Sequence, residues 1–291
     1  MNEESRPLLA AAWMSGAIFA FTFMAISGRE LSSELDTFEM MMYRSFVGLI
    51  VVLGFAASFK QASEIRAHRL PLHILRNLCH FTGQNLWFYA LTLITFAEVF
   101  ALEFTTPIWV IVLAVLFLGE KISSGRIIAV VLGFLGVMAV AKPGGGADEL
   151  GLAMAAASAV AFAGSLVTTK LLTRTETTLS ILFWMTALQA IFGLITTGWD
   201  GNIAWPSNSA WPWLILLGLG GLAAHTCIVN ALKVAPATVV VPLDFMRLPV
   251  IAIVGMMFYS EPIDLWVFFG AALIFLGNYV NILGEAKRRV D

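Results

Sequence analysis

Charge is what this sequence has least of. Only 12% of its 291 residues are Asp, Glu, Lys or Arg, about half the roughly 25% of a soluble domain. Such a chain cannot cover a water-facing surface. Cysteine is nearly absent as well: Cys79 and Cys227 both fall in apolar segments, which excludes a disulfide framework and any metal-ligand spacing. No H-E-x-x-H, no G-x-S-x-G and no closely spaced carboxylate pair occurs in one helix, so the chain is not expected to be an enzyme. It lacks a phosphate loop, and ATP is therefore not its direct energy source. No cofactor, metal or nucleic-acid partner is expected. The opening "MNEESRP" is acidic and no small-residue cleavage pattern follows, so the first apolar run is expected to be a retained helix rather than a signal peptide.

What is present is hydrocarbon. Apolar residues make up 59% of the chain and the mean hydropathy is +0.86. A spanning helix needs ~20 mostly apolar residues, and ten such runs can be read. They are Leu8–Ser27, Thr37–Phe59, Leu70–Leu93, Ala97–Leu118 and Ser124–Ala141, then, after "KPGGGADE", Leu150–Lys170, Thr178–Trp199, Ala210–Lys233, Ala237–Phe258 and Pro262–Leu283. Turn and cap residues fill the breaks, as in "SGRELSSELD" and "SEPID".

Lysine and arginine set the orientation. Twelve lie on the side of the two termini, from Arg6 and Lys60 to Arg289; only Arg29 and Lys142 lie opposite. The positive-inside rule then places both termini in the cytoplasm.

The sequence also resembles itself at an offset of about 141 residues. "LGEKISSGRIIAVVLGFLGV" matches "YSEPIDLWVFFGAALIFLGN", which places Glu120 on Glu261 and Gly136 on Gly277. "YALTLITFAEVFALEF" matches "NALKVAPATVVVPLDF", which places Glu103 on Asp244. An odd number of spans per repeat turns the second copy over in the membrane. The expected fold is an all-α integral membrane protein of ten transmembrane helices, arranged as two inverted five-helix repeats over residues 1–143 and 144–291. Many secondary transporters use this architecture, with the substrate near the midplane between the halves.

These segments carry a family likeness. "YRSF" in the second helix, "FYAL", "LEFTTPIWV", "LGEKIS" and "GFLGVMAVAKPG", with Trp13 in the first helix, resemble the EamA-type branch of the drug/metabolite transporter superfamily. The first helix departs from it in reading "WMSGA" where "WGS" is frequent, and the second half has diverged further than the first. The resemblance implies a ten-helix carrier with a central cavity, commonly an inner-membrane exporter of amino acids or other small amphipathic metabolites. An importer of a vitamin or other metabolite, or a multidrug exporter, is the alternative.

Ionisable groups at depth cost at least a few kcal/mol and usually face a partner or a water-filled cavity. Here they are Arg44, Arg76, His80, Glu103, His225, Asp244 and Arg247, with Gln84, Asn85, Gln189 and Asn230 as neutral company. Glu103 and Arg44 lie at similar depths from the same surface, which predicts an Arg44–Glu103 pair. Asp244 and Arg247, three residues apart, can pair locally. Either couple could clamp a zwitterion, guanidinium to carboxylate and carboxylate to ammonium, or merely fix helix packing. His80, Gln84 and Trp87 share a helix face, and His225 with Asn230 occupies the pseudo-symmetric helix; both sets are candidate cavity lining. Trp13, Trp109 and Trp184 are aromatic candidates. Pro107, Pro242 and Pro249 are expected to bend their helices and are candidate hinges. The expected partners are the bilayer and a small-molecule substrate. Protons are a candidate coupling ion, since histidine titrates between pH 5 and 8, and a second copy of the chain is a candidate neighbour.

Overall fold

In hydrocarbon the backbone has no water to bond, so a spanning segment must satisfy its own N–H and C=O groups. The computed structural model describes residues 7–66, 68–118, 124–141, 148–172, 175–234, 243–244, 247–262 and 264–288, and no strand occurs among them. The helices are α1 (Pro7–Leu31), α2 (Thr37–Ser58), α3 (Leu70–Leu93), α4 (Phe96–Glu103), α5 (Thr106–Leu118), α6 (Ser124–Ala141), α7 (Glu149–Leu172), α8 (Thr178–Thr197), α9 (Ala210–Val234), α10 (Arg247–Tyr259) and α11 (Leu265–Arg288). Together they make ten transmembrane spans, with α4 and α5 sharing the fourth.

Local chemistry starts several of them. Asp36 accepts from the Glu39 backbone N–H while the Glu39 carboxylate accepts from that of Asp36, a reciprocal cap that opens α2. Thr95 and Glu98 repeat the device at α4. Long side chains such as Ile50 (71% exposed) and Phe134 (65%) cover the outside of the bundle. That is a surface built for lipid.

The packing follows the repeat. α1 lies along α9 and α3 along α7; α2 lies along α8 and α6 along α11. Exchanging the two halves turns the first pair into the second and leaves the last two unchanged, as a pseudo-two-fold axis in the membrane plane requires. Glycine permits close approach at both self-paired contacts. A Cβ on Gly193 would lie 2.7 Å from the Met42 Cα, and one on Gly136 would lie 2.6 Å from the Gly270 carbonyl oxygen. The chain is an integral membrane protein of two inverted five-helix repeats.

Each end of the bundle carries ties between the halves. At the end away from the termini, Arg29 of α1 donates to the Glu261 carboxylate and to the carbonyls of Leu91 and Ile94. Glu261 also accepts from the Phe96 N–H, and the Arg29 guanidinium lies 3.9 Å from the Phe96 ring centre. Tyr259 donates to Glu30 nearby. At the end of the termini, the Arg66 carbonyl accepts from Ser180 and from the Trp184 indole, and His68 and His73 flank Glu176.

Candidate functional site

The fourth span is the place to begin, because its sequence should not form one helix. Pro107 has no N–H, so the Glu103 carbonyl four residues earlier loses its helical donor. The Thr106 hydroxyl takes that place, donating to the Glu103 carbonyl at 2.6 Å, and the Thr105 hydroxyl donates to the Leu102 carbonyl at 2.7 Å. α4 therefore stops at Glu103, and α5 starts at Thr106 with proline in its first turn, where a missing N–H costs nothing. The expected bend at Pro107 is a break and restart. Pro249 lies in α10 (Arg247–Tyr259), and Pro242 lies outside the described residues.

The break leaves Glu103 at a helix end, facing the second half. Its carboxylate accepts from the Trp87 indole at 2.9 Å and from Arg247 at 3.2 Å, while Arg247 also donates to Asp244 at 3.0 Å. The Asp244–Arg247 contact agrees with the sequence spacing; the Arg44–Glu103 pair does not form. Both carboxylates instead share one guanidinium. Depth alone suggests the wrong partner: α4 packs on α3, α6, α7, α10 and α11, while α2 packs mainly on α8 and α9 and also on α3. Phe21, Phe100 and Phe104 surround the Arg247 guanidinium at 4.6–5.2 Å. Two carboxylates against one arginine leave this group formally anionic. Among the described residues Arg247 Nε and Asp244 Oδ1 are buried without a hydrogen-bond partner, which is spare capacity for a bound polar group.

Phe21 links this group to a second one, its ring 6.4 Å from that of His225. His225 lies 6.1 Å from His80 across the pseudo-axis, and His80 Nδ1 is 2.8 Å from the Gln189 amide. Gln189 donates to Asn77, which also accepts from Arg76 at 2.9 Å; Arg76 reaches Thr169 of α7 as well. Arg44 donates to the Gln84 side-chain oxygen. Arg44, Ser45, Gln189, Gly218 and Gly221 line a small cleft among α2, α8 and α9, with room for about one water molecule. The predicted Gln84 and His80 thus lie in one buried polar core between the halves, joined by Arg44, with the half-buried His225 at its edge.

Other candidates lie elsewhere. Trp13 packs on a small cluster of Ala10, Met14, Ala17 and Ala231. Trp184 closes the end of the termini, and Trp109 is 37% exposed without joining either polar group. Asn230 is half-buried, five residues beyond His225. Arg76, one of the ionisable groups expected at depth, belongs to this core, while Trp87, expected to line a cavity with His80 and Gln84, turns instead to Glu103. Arg76 is four residues before His80 and eight before Gln84, so the 3.6-residue period carried the signal.

Ten spans in inverted halves, with charged groups buried between them, define a membrane carrier. The EamA-like transporter family model matches residues 8–142 and 149–283, and the chain belongs to that family. It is therefore a multi-pass transport protein of bacterial type. It is 26% identical over 290 residues to an S-adenosylmethionine uptake transporter of Rickettsia felis, covering 99% of this chain and 97% of that one. A riboflavin transporter of Brucella anthropi is 32% identical over 216 residues, 72% of this chain and 75% of the relative. A pseudopaline exporter of Pseudomonas aeruginosa is 24% identical over 271 residues, 92% and 94% of the two chains.

Proposed function

We propose that the protein is a secondary or gradient-driven carrier in the bacterial inner membrane that takes up a small amphipathic metabolite bearing an amino-acid group. Alternating access around the buried core would move it. The observation that carries this reading is the pairing of unlike polar groups: two carboxylates on one arginine beside Phe21, and arginine with histidine and amides beyond it. An ammonium or sulfonium group suits the first and a carboxylate the second. Aromatic walls suit the rest of such a molecule. Similarity over almost the whole chain to a protein that takes up S-adenosylmethionine supports the direction.

In this scheme Arg29–Glu261 closes the outer end and the ties around Arg66 and Glu176 close the cytoplasmic end, the termini being cytoplasmic by charge bias. One set must open for each half-cycle. Export of an amino acid or its derivative is the second reading, favoured by the similarity to an exporter and compatible with the same core. Proteoliposomes loaded with unlabelled S-adenosylmethionine, methionine or riboflavin test both readings. Counterflow of the labelled compound identifies a substrate, and accumulation in cells or depletion from them gives the direction. No counterflow with any amino-acid-bearing compound would sink the substrate class.

A further inference from the structure

Arg44 and Arg76 are 7% and 5% exposed, and among the described residues neither meets a carboxylate. Their contacts are amides and a hydroxyl: Gln84 for Arg44, Asn77 and Thr169 for Arg76. Asn77, Gln189 and His80 extend from Arg76 toward His225, whose ring lies 6.1 Å from that of His80, and Arg44 meets the same helix at Gln84. A buried charge without a counter-charge costs several kcal/mol, and here two like charges share one low-dielectric core. The other fully buried arginine described, Arg247, holds Glu103 and Asp244, and the half-buried Arg29 holds Glu261. The exception points to a ligand that brings the missing charge.

The geometry says how that ligand is met. Arg76, His80 and Gln84 stand at i, i+4 and i+8 on α3, about 6 Å apart along the axis. Arg44 joins this row at Gln84, and Gln189 joins it at His80 and Asn77 while lining the same cleft as Arg44. The second guanidinium nitrogen of Arg44 faces α9, 3.9 Å from where a Cβ of Gly221 would stand. The row begins and ends on a guanidinium, with hydrogen-bonding side chains between.

We propose that Arg44 and Arg76 are two stations for the carboxylate of the transported molecule, one toward each side of the membrane, joined by His80, Gln189 and His225. This rests on the carrier reading and adds the group on the substrate that the second polar core selects. Single guanidiniums about two turns apart each match one negative charge. A phosphoryl dianion would call for two or three cations converging on one point.

The test is thermal unfolding of the purified full chain in detergent, in sodium acetate, phosphate or chloride at equal ionic strength. Acetate should raise the melting temperature of the wild type by about 2–4 °C relative to chloride. Arg44→Met and Arg76→Met should each lose at least half of that rise yet melt no lower than wild type in chloride, because each removes a buried unpaired charge. Arg76→Lys should keep most of the response. Variants that melt well below wild type and keep the full acetate response would show packing residues and overturn the proposal, as would stabilisation by phosphate and not by acetate. Absence of S-adenosylmethionine or methionine counterflow with the acetate response intact would remove the substrate reading and leave these stations standing.

Discussion

Arg29 and Glu261 join the two halves of the protein at the end away from the termini, one from the last turns of α1 and the other from the turn before α11. The pair is mostly buried, and each partner has further bonds, to the Leu91 and Ile94 carbonyls and to the Phe96 N–H. Removing one partner strands the other, which costs more than removing both. Arg29→Gln and Glu261→Gln should each lower the melting temperature by several degrees. The double variant should fall well short of the sum, with a coupling of about 0.5–3 kcal/mol. Additive effects in that cycle would show that the pair is not a unit.

Glu103 is held by Trp87 and Arg247. Glu103→Gln keeps the size and an acceptor for the indole but makes the carboxylate group smaller by one charge. Counterflow should fall at least tenfold while the melting temperature stays within about 2–3 °C of wild type. Normal counterflow would exclude a role in substrate binding, and parallel loss of stability and transport would assign Glu103 to packing.

Thr106 answers for the hydrogen bond that Pro107 cannot make. Thr106→Val leaves the Glu103 carbonyl without its donor, a cost of about 1–3 kcal/mol, and Thr106→Ser should restore most of it. Pro107→Ala supplies an N–H that can run the helix through the break. That variant should be at least as stable as wild type and turn over more slowly. Unchanged turnover would mean that the break plays no part in the cycle.

Gly193 and Gly54 make a controlled comparison. A Cβ on Gly193 would strike the Met42 backbone, whereas one on Gly54 would meet nothing within 4 Å. Gly193→Ala should destabilise the α2–α8 contact, and Gly54→Ala should be neutral or stabilising by about 0.5–1 kcal/mol. Equal melting temperatures for the two would refute the close packing assigned to that pair.

The spans, their inversion and the cap at Asp36 were all legible in the sequence, because hydropathy, repeat matches and side-chain caps are local signals. Pairing was not. Counting residues from the membrane surface gives depth, which matched Glu103 to Arg44, but depth says nothing about which helices are neighbours. Arg247 reaches Glu103 because α10 packs on α4. Proline at position 107 was visible, and the two threonines before it held the rest of the answer: their hydroxyls turn a bend into an end. Arg76 reads in the sequence as one more ionisable group at depth, because a single residue does not show its partners. Its want of an acid among the described residues shows only in three dimensions, where Glu261, Glu103 and Asp244 stand on Arg29 and Arg247.

The break after Glu103 has a mechanical consequence. α4 is a rod of eight residues, about 12 Å long, pivoted at one end on a joint whose carbonyls are held by side chains and not by the next helix. Its free end carries Phe96, which the Arg29–Glu261 contact grips. A tilt of ~10° about the joint would swing Phe96 by ~2 Å, by the lever arm of that rise per residue, while Glu103 barely moves. The rod is a lever whose long arm works the Arg29–Glu261 contact and whose fulcrum is the carboxylate that the proposed scheme sets against the cargo.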